Sequence, residues 1–379
     1  MGMTDRRGVL RFAAAAVAAT AGVLPESSFA AAWPKEKIIR AIVPFAAGST
    51  IDIIGRIVLD PLSNALGQTI VVENRGGAGG TIGSAAVAKS DPDGYTLLVN
   101  ASAHSAAPAV YPNLAYDPAK DFAGVAVFGV VPNVLLVAPE SGITTVAALV
   151  ARAKAGALTF ASAGVGSATH WAAERFLLSA GIKATHIPFS GGPAALTEDM
   201  TGRVDFCFIG ISSAISFVNN GRLRPLAVSL RKRSPALPNV ATTIELGFVD
   251  SDYTFWNGVL APAKTPQPII ARLHEEVQKA LELPAVQEKL ATQGRRADAS
   301  QPGRIRRHDR GRDCIEHHAC ESGRPETQLN NLLNSRAVRM ESAYRGGQQL
   351  DAAALCPAYH HPSVVHRSGE RAFLGSHWM

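Results

Sequence analysis

Three loops of small residues, each set between a strand-like run and a helix-like run, constrain this chain more than any other feature. They read PFAAGSTIDIIGR from Pro44, RGGAGGTIGSAAVA from Arg75 and SAGVGSATHWAAERF from Ser162. In each, an apolar stretch turns through glycine or serine into an amphipathic helix. Such a turn aims free backbone N–H groups and the positive end of a helix dipole at one spot. No Lys or Arg occurs between Phe45 and Asp52, between Gly76 and Gly83, or between Ser162 and His170. An anion held there is held by amides and hydroxyls, which suits a carboxylate better than a densely charged phosphate. Glycine also serves ordinary turns. Three such loops spread over two presumptive domains favour a ligand cleft.

The hydrophobic pattern alternates. Strands are expected over 37–44, 69–73 and 95–99, with helices over 51–66 and 81–90. A second unit follows, with strands over 133–137, 158–161, 184–189, 204–209 and 223–229, and helices over 146–155, 169–180 and 193–201. The chain then returns through 253–260 to helices over 266–283 and 284–293. Alternating β and α units with short glycine turns imply an α/β fold of mainly parallel sheets with helices on both faces. Ligands of such sheets bind beyond the carboxyl ends of the strands, where all three loops fall.

Charge matters only once it is localised. The formal charge is +6 over 379 residues, yet 33–300 holds 23 Lys+Arg against 21 Asp+Glu. Half of the excess, +3, lies in the tail over 301–379, with +2 in the long body and +1 in 1–32. With no basic face interleaved with aromatics in the body, nucleic acid is not an expected partner. The pair Arg6-Arg7 precedes an Ala/Val-rich run and small residues around Ala30, a twin-arginine-like export signal. That run is too short for a comfortable membrane span. Cleavage is expected near Ala30 to Ala32, and the twin-arginine and general export routes both remain open. Cys207 is the sole cysteine before Ser300, so the body can form no internal disulfide.

Five segments together resemble the Bug family, the substrate-binding proteins of tripartite tricarboxylate transporters. They are PFAAGSTIDIIGR, ENRGGAGGTIGSAAVAKSDPDGYTLL, FASAGVGSATHWAAE, HIPFSGGPAALTEDMTGRVDFCF and GVLAPAKTP, in order from about Trp33 to about Gly294. The resemblance implies a two-domain periplasmic binding protein type II-like fold with a hinge. It divides the chain into an export signal over 1–32, the first part of domain 1 over 33–132, domain 2 over 133–250 and a return to domain 1 over 251–300. It further implies a periplasmic monomer without cofactor that carries a small carboxylate solute to a two-subunit membrane permease. The family's first loop usually reads Pro-Gly-Gly where Ala47-Gly48-Ser49 stands here, which leaves the solute open.

Gly48, Ser49 and Thr50 open the first helix and would offer N–H groups to a carboxylate, with Phe45 as an apolar wall and Ala47 in the same turn. Asp52 sits in the first turn, where capping is favoured over ligand contact. Gly79 belongs to the second loop. Ser162, Gly166, Ser167, Thr169 and His170 present the second domain's helix end. His170 either donates to the ligand or ties the loop. Ser102 and His104 follow a strand at its carboxyl end, Gly191 and Gly192 complete the rim, and Asp205 reads as structural. No catalytic residue and no metal ligand set is expected. Gly210-Ile211-Ser212-Ser213-Ala214 is only part of a nucleophile elbow, since Ala214 stands where a second glycine belongs. Gly77 to Gly83 misses the dinucleotide spacing by one residue. A serine hydrolase, or an input subunit for a membrane sensor kinase, are the weaker alternatives.

The tail over 301–379 contains no Lys, seven of the eleven His and three of the four Cys. Cys314, His317, His318 and Cys320 superficially resemble a metal cluster. The segment reads instead as translation out of frame. Suitable codons read one base later give SPAEFDAMIAAEIASNTTLVKAAGLKPN, then a stop across Leu329 and Asn330. That string opens with a Ser-x-x-Glu capping box, repeats apolar residues on one face and ends in Gly before Pro. No fold is expected of the tail as it stands.

Overall fold

The computed structural model describes residues 33–253 and 255–295. The segments expected to be an export signal, over 1–32, and an out-of-frame tail, over 301–379, lie outside the described residues. The first half runs β1 (Ile39–Val43), α1 (Thr50–Leu66), β2 (Ile70–Asn74), a 3-10 turn (Ala78–Gly80), α2 (Thr81–Ala88), β3 (Thr96–Ala101), α3 (Ala103–Val110) and β4 (Phe122–Val130). There follow β5 (Asn133–Val137), α4 (Val146–Ala155), β6 (Thr159–Ser162), α5 (Ala168–Ala180), β7 (Thr185–Pro188), α6 (Gly192–Met200), β8 (Phe206–Gly210), α7 (Ile211–Asn219) and β9 (Arg224–Val228). The chain ends in β10 (Trp256–Pro262), α8 (Gln267–Glu282) and α9 (Pro284–Thr292).

Two five-stranded sheets form, in the orders β2-β1-β3-β10-β4 and β7-β6-β8-β5-β9. In each, one strand runs against the other four: β10 pairs antiparallel with β3 and β4, and β5 pairs antiparallel with β8 and β9. Those are the strands that carry the chain into one unit and back into the other. The parallel trios β2-β1-β3 and β7-β6-β8 come from βα repeats, which need a helical crossover between neighbouring strands. Three elements escaped the sequence pattern. Gly124 and Gly129 interrupt the alternation of β4, α3 carries Pro108, and α7 follows β8 with no turn residue between.

The sequence of α1 fixes both its ends. Ser49 is the N-cap, its hydroxyl accepting the Asp52 N–H, and Gly67 closes the helix at φ 62°, a left-handed conformation that glycine adopts at little cost. Ile51, Ile54, Val58 and Leu62 recur at three and four residues and are all buried, which sets one face against the first sheet. Gly55 lies on that face. A Cβ there would meet Val99 Cγ1 of β3 at 2.9 Å, so the glycine allows the close approach of helix to sheet. The second unit packs Phe160, Phe176, Phe206 and Phe208 into its own core.

The two units are joined by adjacent crossings, at 131–132 and at 229–255. They hydrogen-bond to each other: the Val131 N–H donates to the Phe255 carbonyl at 3.0 Å and the Ser229 N–H to that of Asn133 at 2.9 Å. Two crossings tied side by side in this way make a hinge. The carboxyl ends of β1, β3, β6, β7 and β8 all lead into helices that begin at the cleft.

Candidate functional site

Two adjoining cavities lie between the units. The inner one is about 30 Å³ and is lined by Phe45, Ser49, Thr50, Ile51, Ala103, Ala163, Ser167, Ala168, Thr169, Gly192, Ile209, Gly210, Ser213 and Phe255. Most of those residues belong to the caps and first turns of α1, α3, α5, α6 and α7, joined by Phe45, Ala163 and Ile209, with Phe255 from the hinge behind them. First-turn N–H groups have no partner within their own helix, and each helix end adds partial positive charge. Five such ends at one point favour an anion strongly. The outer cavity, about 200 Å³, shares Phe45 and Ala163 with the inner one. Its other walls are the Gly77–Gly80 loop, Tyr111, Gly164, Val165, Pro188, Phe189 and Ser190. Neither lining contains Lys, Arg, His, Asp or Glu.

The first loop is held by its own polar groups. Asp52 accepts the Gly48 N–H at 2.9 Å, the Arg56 guanidinium at 2.9 Å and the Asn74 amide at 3.0 Å. The Ser49 N–H donates to the Ala46 carbonyl at 3.1 Å. The expectation that Gly48 and Ser49 both present N–H groups to a ligand is therefore corrected. Their amides close the turn, while Ser49, Thr50 and Ile51 all line the inner cavity. Ala47 and Gly48 are exposed on the outside of the turn, and Asp52 lies behind it.

The third loop follows the same economy. Ser167 caps α5, accepting the His170 N–H at 3.3 Å, and sits 2.9 Å from the Thr169 hydroxyl, which accepts the Ala163 N–H at 2.8 Å. His170 Nδ1 accepts the Gly166 N–H at 3.2 Å while its ring stacks on His186 with centroids 4.1 Å apart. Of its two expected roles the geometry shows loop tying. Ser162 lies beneath, 2.7 Å from His186 Nε2 and accepting the Gly164 N–H. Burial first and the neighbouring His170 second pull the His186 pKa down to about 3, so that ring stays neutral.

Ser49, Thr50, Ser167, Thr169 and Gly192 thus come together at the inner cavity, Gly79 joins the outer one and Phe45 lines both. Gly166 packs beside Tyr111 and Val110, and Gly191 lies where a Cβ would meet the Ala46 Cβ at 2.8 Å across the cleft. Ser102 is buried next to Ala103 but lines neither cavity. His104 does not face the crevice. It stacks on Tyr116 at 5.9 Å, meets Phe122 edge-on at 4.7 Å, and burial pulls its pKa down to about 4. Asp205 accepts the N–H and hydroxyl of Thr159.

Ser213 and Tyr111 were missed in the sequence. The partial elbow at Gly210 is a true strand–turn–helix junction, and it delivers Ser213 to the inner cavity. There its hydroxyl donates to the Gly48 carbonyl at 3.0 Å and lies 3.1 Å from the Thr50 hydroxyl. Both contacts bridge the two units, and the hydroxyl has no histidine beside it. Tyr111 spans the cleft as well, its hydroxyl donating to the Val165 carbonyl at 2.9 Å. Among the described residues no group of three His, Cys, Asp or Glu could hold a metal ion.

Known proteins match this architecture. The sequence profile of the tripartite tricarboxylate transporter family receptor matches residues 54–303. Protein BugT of Bordetella pertussis is 36% identical over 280 residues, 73% of this chain and 85% of its own length. Among solved structures, an R. palustris protein with adipate superposes with a TM-score of 0.67 at 33% identity, covering 69% of this chain and 88% of that one. MatC from Rhodopseudomonas palustris with bound malate gives 0.66 at 32% identity, covering 69% and 90%.

Proposed function

The chain belongs to the tripartite tricarboxylate transporter receptor family, the family of the Bug proteins, and from that premise we propose that it captures a small carboxylate between its two domains. It is a binding protein and not an enzyme. The single observation that carries the reading is the convergence of five helix N-termini on one uncharged cavity at the hinge. There, amides and the hydroxyls of Ser49, Thr50, Ser167, Thr169 and Ser213 replace the water around a carboxylate. Related structures with adipate and malate support the ligand class. In this reading the chain works as a periplasmic monomer. The signal over 1–32 exports it, and it hands its solute to a two-subunit permease.

The test adds a negative charge to the cavity while keeping the caps. Asp replaces Ser well at a helix N-cap, so Ser49→Asp and Ser167→Asp should fold as wild type. Both should weaken carboxylate binding by about a hundredfold or more, because like charges meet in a dry site. Titration calorimetry on the full chain reads the result, and unchanged affinity in both variants would remove the site. The frame-shift reading of the tail is part of the same proposal. It draws support from a family match that stops at 303, near the junction inferred between Gly294 and Gln301. Sequencing the gene there decides it: the reading fails if no one-base shift yields the capped helix and early stop.

A further inference from the structure

We propose that the solute is a monocarboxylate with an uncharged, ring-sized apolar body, and not a di- or tricarboxylate. The inference rests on the reading that the inner cavity takes a carboxylate, and it concerns what the outer cavity does with the remainder of the molecule. The two cavities have Phe45 and Ala163 in common. In this proposal a solute anchored by its carboxylate at the hinge passes the Phe45 ring into the outer chamber.

The outer chamber is built for apolar matter. Its side-chain walls are mostly apolar, led by Phe45, Tyr111, Val165, Pro188 and Phe189, with Ser190 the one aliphatic hydroxyl, and its lining includes no cation. The Tyr111 hydroxyl is engaged with the Val165 carbonyl. Helix α2 begins beside the chamber, but the Gly80 N–H is spent on the Gly77 carbonyl at 3.0 Å, and the Thr81 hydroxyl on that of Ala78 at 2.9 Å. The glycines bring backbone against ring faces. A Cβ on Gly80 would lie 3.0 Å from the Phe45 ring, so the floor is flat and aromatic.

Size and charge then decide between ligand classes. The chamber's 200 Å³ exceeds the roughly 150 Å³ of an apolar cavity that accepts benzene. A second ionised carboxylate there would give up its water to largely apolar walls, with no cluster of hydroxyls like that of Ser49, Thr50, Ser167, Thr169 and Ser213 to receive it. The inner cavity, at about 30 Å³, has room for one such group.

Calorimetric titration of the full chain with phenylacetate, cyclohexanecarboxylate, adipate and citrate tests this, with benzylamine as a control for charge. The expected result is binding of the two ring monocarboxylates about tenfold or more tighter than adipate or citrate. A Val165→Arg variant, which sets a cation in the chamber wall, should narrow or reverse that ratio. Adipate or citrate binding as tightly as either ring acid overturns the proposal and leaves the carboxylate site standing, as does no measurable binding of the ring acids. Benzylamine binding as tightly as phenylacetate removes the carboxylate site itself.

Discussion

Asp199 is a carboxyl that the fold keeps protonated well above the ordinary carboxylate range. It is fully buried in α6, accepts the Cys207 thiol at 3.0 Å, and desolvation pushes its pKa up to about 7. Between about pH 4 and pH 7 the native state holds a proton that the unfolded chain has released, so its contribution to stability falls as pH rises through that window. His104 runs the other way. Burial holds it near 4, and below about pH 6.5 the unfolded chain binds a proton the native state refuses, so stability falls as pH drops. The two slopes oppose where they overlap. Asp199→Asn removes one of them, and its stability relative to wild type should climb by about 1 kcal/mol per pH unit from pH 4 to pH 7. Urea midpoints across that range read the slope, and parallel profiles would show that Asp199 ionises freely. At this scale the sequence favours loop tying for Asp52 and leaves His170 between two roles, and both side chains tie their loops, because short turns leave polar groups that a nearby side chain must satisfy.

Helix α1 delivers Ser49 and Thr50 to the inner cavity, and its height above the sheet depends on Gly55. Gly55→Ala places a methyl 2.9 Å from Val99 Cγ1. The clash should outweigh alanine's better helix propensity and destabilise by about 1–3 kcal/mol. Val99→Ala in the same chain should return part of that loss by making room, although it opens space of its own. Thermal unfolding of the two single variants and the double one gives the coupling; strict additivity would mean that helix and strand do not meet there. Elements with strong local signals were legible from sequence. The bounds of β5 and α4 agree with the pattern to the residue, since α4 has a Thr145 cap and a clean end at Gly156. Elements whose signal is interrupted were not: β4 contains two glycines, and α7 starts directly from Gly210 at the end of β8, with no loop to separate strand from helix.

Across the whole molecule the cleft works as a clamp, and the parts that meet in it are far apart in sequence. Tyr111 and Val165 are separated by 54 residues, and Thr50 and Ser213 by 163. No local pattern could pair them. The sequence could show that helix ends converge on the carboxyl ends of strands, but not which side chains would bridge the gap. If the units part about the hinge these bridges break, so each would stabilise the closed form over an open one. Tyr111→Phe isolates one of them, keeping the ring in the chamber wall and deleting the hydroxyl that donates to the Val165 carbonyl. A lost neutral hydrogen bond of about 0.5–1.5 kcal/mol corresponds to affinity weakened roughly two- to tenfold. Because the closed form alone makes the bond, the loss should appear as faster release, with association little changed. Stopped-flow binding and melting of the chain without solute separate the cases. A variant that melts lower by itself but releases its solute at the wild-type rate would make Tyr111 a structural residue and not a latch.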